Sequence, residues 1–158
     1  MKRIILIIGL LFSLSQIIEA QDKVFFIRIG SSQFTGILGG EVQVGHFSLE
    51  GGYAYIPLPQ LSEPWNMAGV GLSYYTGNPF DNSFYATIGY SFNGVAKMTR
   101  LSDNSYIAEY GNSIPLIVGY KWGGTAWFSL KGGLGYQFSS IGNSFTVDLT
   151  IGIALLAF

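Results

Sequence analysis

Ser83-Phe84-Tyr85-Ala86-Thr87-Ile88-Gly89-Tyr90-Ser91-Phe92 decides the fold class. Phe84, Ala86, Ile88, Tyr90 and Phe92 share one parity, and Ser83, Tyr85, Thr87, Gly89 and Ser91 share the other. Successive side chains of a strand point to opposite faces, so a strict two-residue period reads as β-strand. The same alternation runs through Thr125–Phe138. There Ala126, Phe128, Leu130, Leu134, Tyr136 and Phe138 oppose Thr125, Ser129, Lys131, Gly133, Gly135 and Gln137, with Gly132 interrupting and Trp127 as the exception. It returns in Ser144–Phe158, where Phe145, Val147, Leu149, Ile151, Ile153 and Leu155 oppose Thr146, Asp148 and Thr150. Five further segments fit less perfectly, because glycine belongs to both faces: Val24–Gly30, Ile37–Val44, Phe47–Ile56, Met67–Tyr75 and Ile114–Trp122. The total is eight strands.

The connections differ in length. Gly45-His46 and Gly123-Gly124 are short glycine turns of hairpin type. Thr76–Asn82 lies on the same side and is longer. The other side carries Ser31–Gly36, Pro57–Asn66, Asn93–Ser113 and Ser139–Asn143, of which Asn93–Ser113 is the longest and holds Lys97, Arg100, Asp103 and Glu109. With eight strands both termini fall on the rim of the short turns.

The chain of 158 residues opens on Met1-Lys2-Arg3, an apolar run Ile4–Phe12 and Glu19-Ala20, the layout of a secretory signal peptide over residues 1–20. Residues 21–158 then form one domain with six basic and eight acidic side chains. Charged residues are 11% of the whole chain, against about 25% in an ordinary soluble domain. This excludes a basic nucleic-acid binder and a charge-rich disordered chain. There is no cysteine, so disulfides and thiolate chemistry are excluded. After the signal no apolar stretch reaches the roughly 18 residues of a spanning helix. Two outcomes remain: a soluble β-protein, or a closed barrel, which can span lipid because closure pairs every strand edge.

The charges choose between them. Arg28, Glu41, Glu50, Lys121, Lys131 and Asp148 fall within strands, all on the less apolar parity. A membrane barrel puts that parity inside, where three cations and three anions can pair. A charge facing mid-bilayer lipid would cost about 2–4 kcal/mol. The interior of an eight-stranded barrel is just filled by side chains, here including Gln43, Tyr75, Tyr85 and Gln137, so no open channel is expected. Tyr53, Tyr55, Tyr90, Phe92, Tyr136, Phe138 and Phe145 fall towards the loop rim. Phe25, Phe47, Tyr74, Phe84, Tyr120, Trp122 and Phe158 fall towards the turn rim. Two such bands suit the lipid–water boundaries.

Chemistry is sparse. One histidine and no cysteine make a zinc site improbable, no phosphate-cradling loop is present, and no cofactor is expected. His46, Ser48 and Glu50 occupy alternate positions of one strand, where a Ser-His-acid arrangement could activate a hydroxyl. A turn histidine, an interior serine and an ion-paired glutamate account for them without catalysis.

The signal peptide, eight alternating segments, alternately short and long connections, and terminal Phe158 resemble the small bacterial outer-membrane barrels of the OmpX and OmpA-transmembrane type. The resemblance spans residues 21–158 and is architectural, with no family-specific motif. It implies an all-β, antiparallel up-and-down eight-stranded transmembrane β-barrel, monomeric, in the outer membrane. It also implies that Phe158 serves as the signal read by the barrel-assembly machinery. One departure stands out. Counting back from Phe158, the in-step set is Leu156, Ala154, Gly152, Thr150 and Asp148, whereas the apolar set is one residue out of step. Either the last residues bulge or Phe158 turns at the strand end. His-x-Ser is also similar to the pair of outer-membrane lipid A deacylases, although Phe47, Leu49 and Gly51-Gly52 depart from that family's longer motif. The expected function is a structural or surface-interaction barrel without enzymatic activity. The alternatives are a lipid-modifying barrel enzyme and a soluble lipocalin-like carrier of an apolar ligand.

Overall fold

The computed structural model describes residues 23–57, 64–101, 106–123 and 127–157. The signal segment 1–20, Gly124, Thr125, Ala126 and Phe158 lie outside the described residues. Eight strands follow in order: β1 (Lys23–Ser32), β2 (Gly36–Val44), β3 (Phe47–Ile56), β4 (Trp65–Tyr75), β5 (Ser83–Arg100), β6 (Tyr106–Gly123), β7 (Phe128–Ser139) and β8 (Ser144–Ala157). Each pairs antiparallel with the next, and β1 pairs with β8, closing the barrel. The fold is all-β among the described residues, the up-and-down barrel that the alternation implied.

The two parities segregate across the wall. On β5, Phe84, Ile88 and Phe92 point outward and are exposed, whereas Ser83, Tyr85, Thr87 and Ser91 are buried inside. On β8, Val147, Leu149, Ile151 and Ile153 point outward, and Thr146, Asp148 and Thr150 inward. The outer surface is therefore apolar and the lumen polar. Aromatic rings pack edge-on along the outside near both rims: Phe47 on Tyr74 and Phe84 on Tyr120 at one, Tyr136 on Phe138 and Phe145 at the other. Gly45, at φ +52°, makes the tight β2–β3 turn with His46. That left-handed conformation is cheap for glycine alone.

The last strand settles the question of parity. Phe25 pairs with Leu156, but Phe26 pairs with Ala154, so Leu155 is an extra residue in β8. A bulge of this kind moves every later residue to the other parity. The bulge thus shifts the parity of Leu156 and Ala157 relative to the out-of-step apolar set.

The segment Asn93–Ser113 differs from expectation. It is not a loop but the end of a long hairpin, with Val95 to Arg100 paired against Gly111 to Tyr106. Lys97 stands opposite Glu109, an attractive cross-strand pair. Lys97 to Arg100 are exposed on both parities, so the apolar alternation that identifies the other strands is absent. An irregularity between Ser91 and Val95 marks the junction. There Asn93 adopts φ +52°, its N–H donates to Asn112 Oδ1 (3.1 Å), and Trp65 Nε1 donates to its carbonyl (2.7 Å). At about 3.3 Å per residue the paired stretch from Val95 to Arg100 is roughly 20 Å long. On β5 the pairing with β4 runs only to Phe92, and on β6 the pairing with β7 starts at Ser113.

Candidate functional site in the barrel interior

Arg28, Glu41, Glu50, Lys121, Lys131 and Asp148 all lie in the lumen, none more than 2% exposed, whereas Lys97, Arg100 and Glu109 stand exposed on the outer hairpin. A buried ion is stable only when paired and hydrogen-bonded, and the geometry supplies both to five of the six, Lys121 being held by neutral acceptors. Arg28 meets Glu41 through Nη2 and Nε, each 2.6 Å from Oε2, and Nη1 donates to Ser129 Oγ (2.8 Å). Tyr75 donates its hydroxyl to the other Glu41 oxygen (2.5 Å). Lys131 lies 3.0 Å from Glu50 Oε2 and 3.8 Å from Asp148 Oδ2. Ser73 donates to Glu50 Oε1 (3.0 Å), and Tyr85 to Asp148 Oδ2 (2.6 Å). The two groups meet at Tyr75 and Tyr85. Lys131 Nζ is 4.6 Å from the Tyr85 ring centre and 5.7 Å from that of Tyr75.

Lys121 has a different role. It donates to Gln43 Oε1 (3.0 Å) and to the backbone carbonyls of Asn78 (3.1 Å) and Pro79 (2.8 Å). Those carbonyls belong to the Thr76–Asn82 connection, whose Phe80 ring packs edge-on against Phe26 (6.2 Å between centroids). The longer connection on the turn rim is thus folded across the mouth of the barrel and held by a lumen cation.

The other mouth is occupied from β1–β2. Ser31–Gly36, expected as a polar rim loop, turns inward, and Phe34 is wholly buried with Tyr75, Tyr85 and Ile117. Phe34 has no alternating context in the sequence. The available signal is indirect: Gly39, Gly52, Gly69, Gly71 and Gly89 all fall on lumen parity of β2 to β5 and leave a hollow. A Cβ on Gly71 would lie 2.7 Å from the Phe34 ring, and so would one on Gly89. Glycine plays the same part elsewhere in the lumen. Gly152 leaves room for the Arg28 guanidinium, and Gly119 and Gly133 for Tyr85. Glycines of lumen parity are the seats of the large side chains.

His46, Ser48 and Glu50 are not brought together. Ser48 and Glu50 are lumen residues, whereas His46 is exposed at the rim. Its Nδ1 donates to the Tyr75 carbonyl (2.9 Å) and its ring stacks on outward-facing Tyr74 (5.9 Å between centroids). Glu50 is engaged by Lys131. Consecutive residues of a turn leave strand parity, which is why the spacing misleads here. Among the described residues no group of three or more His, Asp or Glu side chains could hold a metal ion.

No protein-family model matches the chain, and no curated protein does. A solved structure is similar: the crystal structure of the N-terminal β-barrel domain of Pseudomonas aeruginosa OprF. It superposes with a TM-score of 0.61 at 18% identity, covering 87% of this chain and 100% of that one. At that identity the likeness is one of fold, and it shows that this chain has the closed eight-stranded barrel architecture of that domain.

Proposed function

We propose that the chain, after removal of residues 1–20, is a monomeric structural barrel of the bacterial outer membrane with a closed lumen, and that it meets surface partners through the β5–β6 ribbon. The carrying observation is the segregation across the wall: exposed Leu, Ile, Val, Phe and Tyr outside, and six ions at 2% exposure or less inside. A soluble β-barrel carrying an apolar ligand needs the reverse. The aromatic contacts near both rims suit membrane boundaries, and the similarity of fold to the OprF domain agrees. Lipid is then the partner of the outer wall. The Leu155 bulge, which shifts parity before the chain end, supports reading Phe158 as a residue recognised by the barrel-assembly machinery. The separation of His46 from Ser48 and Glu50 favours a non-enzymatic role.

Among the described residues the β4 ladder ends at Phe92 and the β7 ladder at Ser113, and beyond the Tyr110 stack on Trp65 the ribbon's outer edges pair with no further strand. Open strand edges are templates for an added strand, so a partner presenting an extended segment fits this surface. The test is fractionation followed by surface labelling. Recovery with outer membranes only in detergent is expected, with an epitope inserted between Arg100 and Tyr106 reached by antibody on intact cells. Recovery in the soluble periplasmic fraction overturns the membrane reading. An epitope reached only after the outer membrane is opened inverts the topology and removes the surface role.

A further inference from the structure

The Gln33–Thr35 turn and the hollow it fills are matched in shape. Five lumen-parity glycines on four adjacent strands, Gly39, Gly52, Gly69, Gly71 and Gly89, form the hollow. The Gln33 carbonyl and Phe34 backbone lie against Gly69, Thr35 lies against Gly39 and Gly52, and the Phe34 ring lies against Gly71 and Gly89. A Cβ at any of these positions would meet the turn at 2.7 Å or less. Thr87 approaches the same Gly71 position as the ring and is hydrogen-bonded to Ser73, and through it linked to Glu50, so the hollow adjoins the charge network.

The turn is joined to the wall by discontinuities on both sides. The β1–β2 ladder is irregular between Ile29 and Ser32, and the β2–β3 ladder between Gly36 and Leu38. Gly36 itself is at φ +62°, a left-handed hinge position. Inside the hollow the turn is held mainly by the apolar ring; its Phe34 N–H donates to Ser32 Oγ (3.2 Å) within the same turn. Gln33–Thr35 pair with no strand, and the ladders close at Ser32↔Gly36 and Gly36↔Tyr53, so the turn can leave the hollow while those pairings stay.

We propose that Gln33–Thr35 is a tethered plug, and that the glycine hollow is a binding site for an aromatic side chain, occupied in cis by Phe34.

The chain has no cysteine, so single-cysteine labelling reads the plug directly. In detergent micelles the test does not depend on where the barrel resides in the cell. Thr87→Cys reports the space beside the ring, and Ser129→Cys, at the position that bonds Arg28, reports the deeper lumen. With Phe34 in place both thiols are expected to resist a polar maleimide. Phe34→Gly is expected to speed labelling at position 87 on the order of tenfold or more while position 129 stays protected. A peptide of sequence SSQFTG, added to the Phe34→Gly chain, is expected to restore protection at position 87, and SSQATG is not. Equal labelling at position 87 with and without Phe34 overturns the plug. So does parallel opening at position 129, which would make Phe34 an ordinary core residue. Failure of SSQFTG to protect, or equal protection by SSQATG, overturns the binding site.

Discussion

Lys131→Met should destabilise the barrel by about 3–5 kcal/mol, the usual cost of removing one partner from a buried ion pair. Lys131 Nζ faces Glu50 at 3.0 Å and Asp148 at 3.8 Å, with its side chain 0% exposed. At an effective dielectric constant of about 20, those separations correspond to roughly 4–6 kcal/mol of gross attraction each. Several kcal/mol of that offsets the desolvation of the ammonium, which methionine does not need. The remainder is lost, because both carboxylates stay buried with the neutral donors Ser73 and Tyr85 in place of a cation. The assay is equilibrium unfolding in detergent micelles with urea, followed by tryptophan emission from Trp65, Trp122 and Trp127. A loss of about 3 kcal/mol lowers the folding constant by about two orders of magnitude, since each 1.4 kcal/mol is roughly a factor of ten. Adding Glu50→Gln to Lys131→Met should recover part of the loss, because it removes a carboxylate left without its cation. A Lys131→Met barrel within about 0.5 kcal/mol of the parent, in the range of an ordinary surface substitution, would refute the assignment of these charges to a dry interior.

Glu41→Gln should destabilise comparably, since Arg28 would keep only neutral partners, and the same unfolding assay checks it. Leu149→Lys, which puts a charge on the outer wall, should cost about 2–4 kcal/mol in a bilayer if it sits near mid-depth, and far less in a lipid-free aqueous fold; refolding into vesicles measures it. Gly71→Val should cost about 1–3 kcal/mol by overpacking against the Phe34 ring, and Phe34→Ala in the same chain should relieve it, both read by the same urea titration. Deleting residues 95–111 should leave the barrel folded, with unchanged electrophoretic mobility of the unheated protein, while abolishing any partner binding at the ribbon.

What was legible in the sequence was the wall. The alternation at Ser83–Phe92 names both faces of β5 correctly, residue by residue, because a barrel strand meets two solvents of opposite polarity and parity is all that separates them. A conflict of parity in the last strand was visible, and the structure has a bulge at Leu155. Which charges pair was not legible. Arg28 and Glu41 sit on neighbouring strands, but Lys131 on β7 reaches Glu50 on β3 across the lumen, and no sequence spacing encodes a contact between strands that do not share a ladder. The ribbon was hidden because its strands are solvated on both faces. Lys97, Arg100 and Glu109 read as loop where the backbone continues as sheet. Phe34 was hidden for the opposite reason. One apolar residue in a polar turn carries no period, and its burial is written instead in the glycines opposite it.

The contents of the lumen also bear on where function can reside. A water-wide path along the axis would have to separate Arg28 from Glu41 and Lys131 from Glu50, withdraw Phe34, and release the Asn78 and Pro79 carbonyls from Lys121. Parting a single buried pair without replacing its contacts costs about 3–5 kcal/mol. At about 3 kcal/mol the opened state is already below about 1% of the population, and the remaining steps lower it further. Conduction through the closed barrel is therefore disfavoured by the contacts that stabilise it. The ribbon carries no such conflict. Its pairing from Val95↔Gly111 to Arg100↔Tyr106 is local to one hairpin and separated from the wall by the irregularity at Ser91/Val95. A strand added to either edge would leave every lumen contact intact. Binding at the ribbon can thus vary in strength or partner without altering the stability of the barrel, which favours placing surface recognition on the hairpin.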